Sequence, residues 1–143
     1  MTNILLGRGY VSPDKPGNLG RPLLSYATEY GHEGVVKILL GREEVDQDKV
    51  DNDGRTPLCH AAWQRLKEIV QILLKREEVS PDKPDYNGRT PLSYATWHGR
   101  EGVVQILLER EDVNPDKPGN DGQTPLTYAA MSGYERVVKM LLK

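Results

Sequence analysis

Cys59 and His60 stand side by side, and a thiol beside an imidazole is the pairing that nucleophilic catalysis uses. Neighbours on a helix point about 100° apart, so the two do not converge on one reacting atom. Each position also recurs 34 residues away as another residue type: Ser25, Ser93 and Thr127 match Cys59, while Tyr26, Tyr94 and Tyr128 match His60. Packing explains both. His32, His60 and His98 fall at three different positions of that period and do not form a metal-ligand set. With Cys59 the only cysteine, neither an internal disulfide nor a cysteine-based zinc site can form. The glycine-rich turns lack the Gly-Lys-Ser/Thr end of a phosphate loop. No catalytic residue, metal or cofactor is expected.

The charged residues form ladders at the same interval. Asp14-Lys15, Asp48-Lys49, Asp82-Lys83 and Asp116-Lys117 make one, and Arg42, Arg76 and Arg110 beside Glu43, Glu77 and Glu111 make another. Both are read as solvated charge. Nineteen basic against twenty-one acidic residues give a net charge of −2 with no basic segment, which counts against a nucleic-acid partner. The N-terminal apolar run is shorter than a signal sequence, and nothing approaches the ~18 apolar residues of a membrane span. A soluble intracellular protein, cytoplasmic and without a membrane partner, is expected.

The elements that carry these columns come from one recurring stretch. Gly20–Ala27, Gly54–Ala61, Gly88–Ala95 and Gly122–Ala129 share a Gly-x-Thr-Pro-Leu-x-x-Ala pattern, with Pro22-Leu23 in place of Thr-Pro in the first. A fixed interval of this size signals a solenoid of stacked supersecondary units. Thr56 suits an N-cap and Pro57 the first helical position, and Leu58, Ala61 and Ala62 give a short helix with one apolar face. Gly31, Gly99 and Gly133 supply the positive φ of the next turn, whereas Arg65 makes that turn of the second unit the most strained. A second helix near 66–75 carries Ile69, Val70, Ile72, Leu73 and Leu74, with like bands at 35–40, 103–108 and 137–142. The Pro-rich stretch 76–87 then excludes helix and predicts a projecting, hairpin-like loop. The boundaries are 1–19 for a partial unit whose apolar Ile4, Leu5 and Leu6 match Ile38, Leu39 and Leu40, then 20–53, 54–87, 88–121 and 122–143. Leu141 and Leu142 are expected to lie uncovered.

A short helix opening at Thr-Pro-Leu, a turn, an apolar second helix and a projecting loop resemble the ankyrin repeat, over the whole chain. The motif order separates it from the tetratricopeptide repeat, which shares the period but has two longer helices and a different aromatic pattern. The Arg-Glu-Asp-Val-Asn-Pro-Asp-Lys-Pro loop looks like ankyrin arrays of filamentous-fungal proteins. The resemblance implies an all-α solenoid of helix-turn-helix units. Several departures matter: Ser25, Cys59, Ser93 and Thr127 stand where the family has His, so its bridge between loops must be made otherwise. The tyrosine column replaces a usual aliphatic, and its polar tips need partners if buried. Arg76-Glu77 replaces the usual Gly-Ala, so the second helix should end without a left-handed cap.

The resemblance also implies where a partner binds, at loop tips around the Gly of Gly-x-Thr-Pro and at the end of each first helix. Those positions are Asn18, Leu19, Arg21, Glu29 and Tyr30; Asn52, Asp53, Arg55, Trp63 and Gln64; Tyr86, Asn87, Arg89, Trp97 and His98; and Asn120, Asp121, Gln123, Met131 and Ser132. Both tryptophans of the chain share one column with Glu29 and Met131, and Trp, Tyr and Arg are the types enriched at binding hot spots. Either the indoles face a protein or peptide partner, or each lies on its neighbouring unit as part of the stack. A monomeric protein-binding module is the leading expectation. The alternative is an interior segment of a longer array, acting as a spacer or associating end to end.

Overall fold

Thr56, Thr90 and Thr124 each accept a hydrogen bond from the backbone N–H three residues on, those of Cys59, Ser93 and Thr127, at 3.2 Å. This satisfies one of the free donors of a helix start, and the proline that follows has no N–H to lose. In a computed structural model that describes Ser12 and residues 14–143, these caps open α3 (Pro57–Trp63), α5 (Pro91–Trp97) and α7 (Pro125–Ser132). The first short helix, α1 (Leu23–Glu29), starts after Pro22 with no side-chain cap, as its missing Thr predicts. The second helices are α2 (Glu33–Leu40), α4 (Lys67–Leu74), α6 (Glu101–Leu108) and α8 (Glu135–Leu142), each with an acidic residue in its first turn. No strand occurs among the described residues, and the expected all-α class holds. The N-terminal apolar residues Ile4, Leu5 and Leu6 lie outside the described residues.

The turn inside each helix pair takes one residue in the left-handed region: Gly31, Arg65, Gly99 and Gly133, with φ of 74°, 66°, 68° and 77°. Arg65 holds the conformation its three counterparts leave to glycine, the strain anticipated for that unit. The second helices end right-handed at Gly41, Lys75 and Glu109, without the left-handed cap.

No pair buries itself. α1, α3, α5 and α7 pack one on the next in a single layer, α2, α4, α6 and α8 do so in a second, and each first helix packs on its own second helix. Leu58, Ala61 and Ala62, with Leu92 and Ala95 behind them, are sealed between the layers, and the small alanines let the helices approach. Ile69, Val70 and Leu73, then Val103, Val104 and Leu107, fill the second layer. Lys67, Glu68 and Gln71 keep one side of α4 in solvent, a narrower apolar band than the sequence suggests.

These loops close on themselves by paired backbone bonds, from Asp51 N to Arg55 O and Gly54 N to Asp51 O at 3.1 and 3.0 Å, and from Asp85 N to Arg89 O and Gly88 N to Asp85 O, both at 2.9 Å. The loops also bond to each other: Tyr86 N donates to Asp53 O at 3.0 Å and Asn120 N to Asn87 O at 2.8 Å. Gly54 permits this approach, since a Cβ there would stand 2.5 Å from the Tyr86 ring and its φ is 80°. The Asp-Lys ladder is more than solvated charge. Asp14, Asp48 and Asp82 each accept the backbone N–H of the next loop, from Asp46, Ser80 and Asn114 at 3.1, 2.9 and 2.8 Å. Lys49 and Lys83 return a bond to the carbonyls of Asp14 and Asp48, at 2.6 and 3.4 Å. Burial pushes the Asp48 carboxyl above its usual range, against the pull of the Ser80 N–H and Lys83.

Two substitutions test this packing by urea denaturation. Leu107→Ala, at a wholly buried position between α4 and α8, is expected to cost ~2–5 kcal/mol. Arg65→Gly is expected to stabilise by ~1 kcal/mol through relief of the left-handed strain.

Candidate functional site

The loops that enter the first helices are organised by two buried carboxylates, Asp51 and Asp85, each 5% exposed. One oxygen of Asp85 accepts the N–H groups of Asn87 and Arg89, both at 2.9 Å, and the other accepts the hydroxyl of Tyr94. Asp51 repeats the arrangement, accepting from Asp53 and Arg55 N–H at 2.9 and 3.0 Å, with His60 Nε2 at 3.1 Å in place of the phenol. The equivalents of these aspartates, Gly17 and Gly119, carry no side chain. There Tyr26 donates to Asn18 O at 3.0 Å, and Asp121 takes the Tyr128 hydroxyl at 3.5 Å. These bonds join each loop to the helix it enters, and the bridge between loops that the missing histidine column would make is supplied by the backbone bonds of Tyr86 and Asn120 and by Asp14, Asp48 and Asp82.

The same tyrosines bind an arginine from the preceding loop. Arg55 Nε donates to Tyr94 at 3.0 Å and Arg89 Nε to Tyr128 at 3.2 Å. Where the column holds His60, the nitrogen that donates to Asp51 cannot also accept as a phenol oxygen does, and Arg21 pairs with Glu29 over the Tyr26 ring instead.

A strip of stacked rings lies against these arginines. Trp63 stacks on Tyr94 and His98 at 5.4 and 5.3 Å, and Trp97 stacks on His98 and Tyr128 at 5.3 and 5.2 Å. Arg55 lies over Trp63 and Arg89 over Trp97, at 5.2 and 5.0 Å. The backbone carbonyls of both indole residues are held as well, that of Trp63 by Arg100 Nε at 2.9 Å and that of Trp97 by the Ser132 hydroxyl at 3.3 Å. Both indoles are half-buried, leaning on the next unit while keeping part of their surface open.

Of the residues expected to meet a partner, the structure gathers two groups. Arg21, Glu29, Arg55, Trp63 and Gln64 line one cleft of about 170 Å³, beside Asp51 and His60. Arg89, Trp97 and His98 continue the ring strip from it, and Gln123, half-buried, occupies the last arginine position. Three others stand apart. Tyr30, 68% exposed, stacks on His32, Tyr86 lies at a loop tip against Gly54, and Met131 is open to solvent. Sequence reasoning passes over Asp51 and Asp85 as organisers. Their signal is a carboxylate nine residues before each of His60 and Tyr94, meaningful only once those side chains are known to be buried.

Cys59 is wholly buried, and burial pushes its thiol up to about 11, so it stays protonated at neutral pH. Burial holds the His60 imidazole below its ordinary value, and Arg21 adds to this, while Asp51 offsets part of it. The unfolded chain thus takes up a proton near pH 6.5 that the fold resists, so stability is complete above that pH and falls as pH drops below it. Urea denaturation at neutral pH and at roughly pH 5.5 is expected to show this loss in the parent chain and a smaller one in His60→Tyr, whose phenol can serve Asp51 as Tyr94 serves Asp85.

A profile of the family described as ankyrin repeats (3 copies) matches residues 1–85, 24–118 and 75–143. No curated protein matches the sequence. Ankyrin repeats are generally protein–protein interaction modules and typically non-catalytic. With helices that pack layer on layer onto their equivalents and a match running from the first residue to the last, the chain belongs to the ankyrin repeat family.

Proposed function

We propose that this chain is a non-catalytic module that binds a protein or peptide on its concave helix-and-loop face, through units bounded at 20–53, 54–87, 88–121 and 122–143. The observation that carries the reading is the ring strip: two half-open indoles in line, each under an arginine. Large rigid rings with a charged neighbour are the groups that dominate interface energetics. The stacking of each indole on the next unit supports it too, because a side chain already held in place loses little freedom on binding. Tyr30, Tyr86 and Met131 stand apart from the strip, exposed, and are further contacts that a larger partner could reach. The module needs no cofactor. Cys59 is sealed in the core and His60 is committed to Asp51, so neither supports a catalytic reading. A cytoplasmic place of action rests on the single cysteine. Among the described residues no helix is long and apolar enough to cross a membrane.

A second reading has its own observation. Leu92, Ser93, Thr96, Val104 and Leu107 are sealed by the helix pair that follows them, whereas their counterparts Leu126, Thr127, Ala130, Val138 and Leu141 are only half-buried or exposed, and Leu142 is 67% exposed. That open face has the shape of an inter-unit contact and suits another ankyrin unit, as in a longer array or an end-to-end assembly.

Binding by Trp63→Ala and Trp97→Ala variants that remain folded tests the first reading. Each is expected to weaken a partner by about 2 kcal/mol, and a partner bound equally well by both would place the docking face elsewhere. Light scattering against concentration tests the second, with Val138→Glu expected to abolish any association seen for the parent chain. A strictly monomeric parent at high concentration would remove end-to-end assembly.

A further inference from the structure

We infer that the docking strip takes an acidic segment of its partner, with one partner carboxylate seated against Arg89. This rests on the docking reading above and names the chemistry of the occupant. The loop entries differ in a way the repeat hides. Arg21 has Glu29 as its counter-ion, and Arg55 Nη1 holds Asp53 at 2.9 Å. The equivalent of Asp53 beside Arg89 is Asn87, and Arg89 makes no ion pair among the described residues.

The geometry around Arg89 otherwise follows that of Arg55, except that its tyrosine is held by the exposed Asp121 and not by a buried aspartate. Its Nε is taken by Tyr128 at 3.2 Å and its plane lies over Trp97 at 5.0 Å, which fixes the guanidinium and leaves the two terminal nitrogens to a ligand. A planar fork held in this way matches a carboxylate with two parallel hydrogen bonds. The indole beneath it and the half-buried position weaken competition from water, so the pair is worth more than one on open surface. The surrounding charge selects among anions. Asp53 and Asp121 are exposed on the loop tips to either side, and they repel a phosphodiester backbone or a doubly charged phosphate more strongly than a single carboxylate. The half-open surfaces of Trp63 and Trp97 are left for apolar side chains that neighbour the acid.

Asn87→Asp provides a test that leaves the arginine and the rings untouched. It rebuilds at Arg89 the internal ion pair that Asp53 already makes with Arg55, and the Asn87 N–H bond to Asp85 matches that of Asp53 to Asp51. The probe is an array of synthetic dodecapeptides rich in Leu, Tyr and Trp, matched except for a central Glu, Gln, Lys or phosphoserine, presented to the labelled full chain. Glu peptides are expected to bind at least tenfold more tightly than their Gln counterparts. Asn87→Asp is expected to erase that ratio while its melting temperature stays near that of the parent, and Trp97→Ala to weaken Glu and Gln peptides alike. Binding that depends on the tryptophans but ignores charge, a Glu preference that survives Asn87→Asp, or a preference confined to phosphoserine would each overturn the acidic inference and leave the docking reading standing. Peptide binding with no dependence on Trp63 or Trp97 would overturn the docking reading, and the acidic inference with it.

Discussion

A helix of seven or eight residues cannot hold itself together in water, because an isolated helix shorter than ~12–15 residues is marginal even with good formers. Each of the helices α1 to α8 is of that length, and their stability comes from the sides of their neighbours. Leu73 and Leu107 have no core of their own to enter. Each is buried by the equivalent positions of the units before and after it, so the repeat is at once a structural rule and the only source of the core. This also ties the proposed function to packing, since the candidate docking face is what remains after the two layers have covered each other.

The loops needed a different solution. They carry few apolar side chains, and their register is held by carboxylates: Asp51 and Asp85 within a loop, Asp14, Asp48 and Asp82 between loops. Burying a carboxylate is costly unless hydrogen bonds replace its water, and each of the first two has a pair of backbone donors plus a phenol or imidazole. The phenol then orients an arginine, and the arginine lies on an indole. From Asp85 through Tyr94 and Arg55 to Trp63, a buried charge fixes the position of a surface ring.

Much of the fold could be read from the chain. The caps at Thr56, Thr90 and Thr124, the bare start at Pro22, the left-handed Arg65 and the uncapped ends of the second helices all follow from local rules, because a cap or a turn is decided by residues within one turn of it. The tyrosine column was recognisable as one whose tips would need partners. The Asp-Lys ladder reads as solvated charge from the sequence, because its partners lie 32 and 35 residues away, and nothing in the local pattern separates a carboxylate in water from one capping the next loop.

By itself the sequence determined the period, the two helices per unit and the columns that meet, since these rest on local periodicity repeated without insertion. Only the tertiary structure decided which members of a column behave alike. Arg21, Arg55 and Arg89 are identical in sequence position yet differ in counter-ion, and the two indoles are neither sealed nor free. The physical reason is that each side chain's surroundings are supplied by the adjacent unit. One substitution there, His60 for tyrosine or Asn87 for aspartate, changes what a conserved-looking position does without changing the position itself.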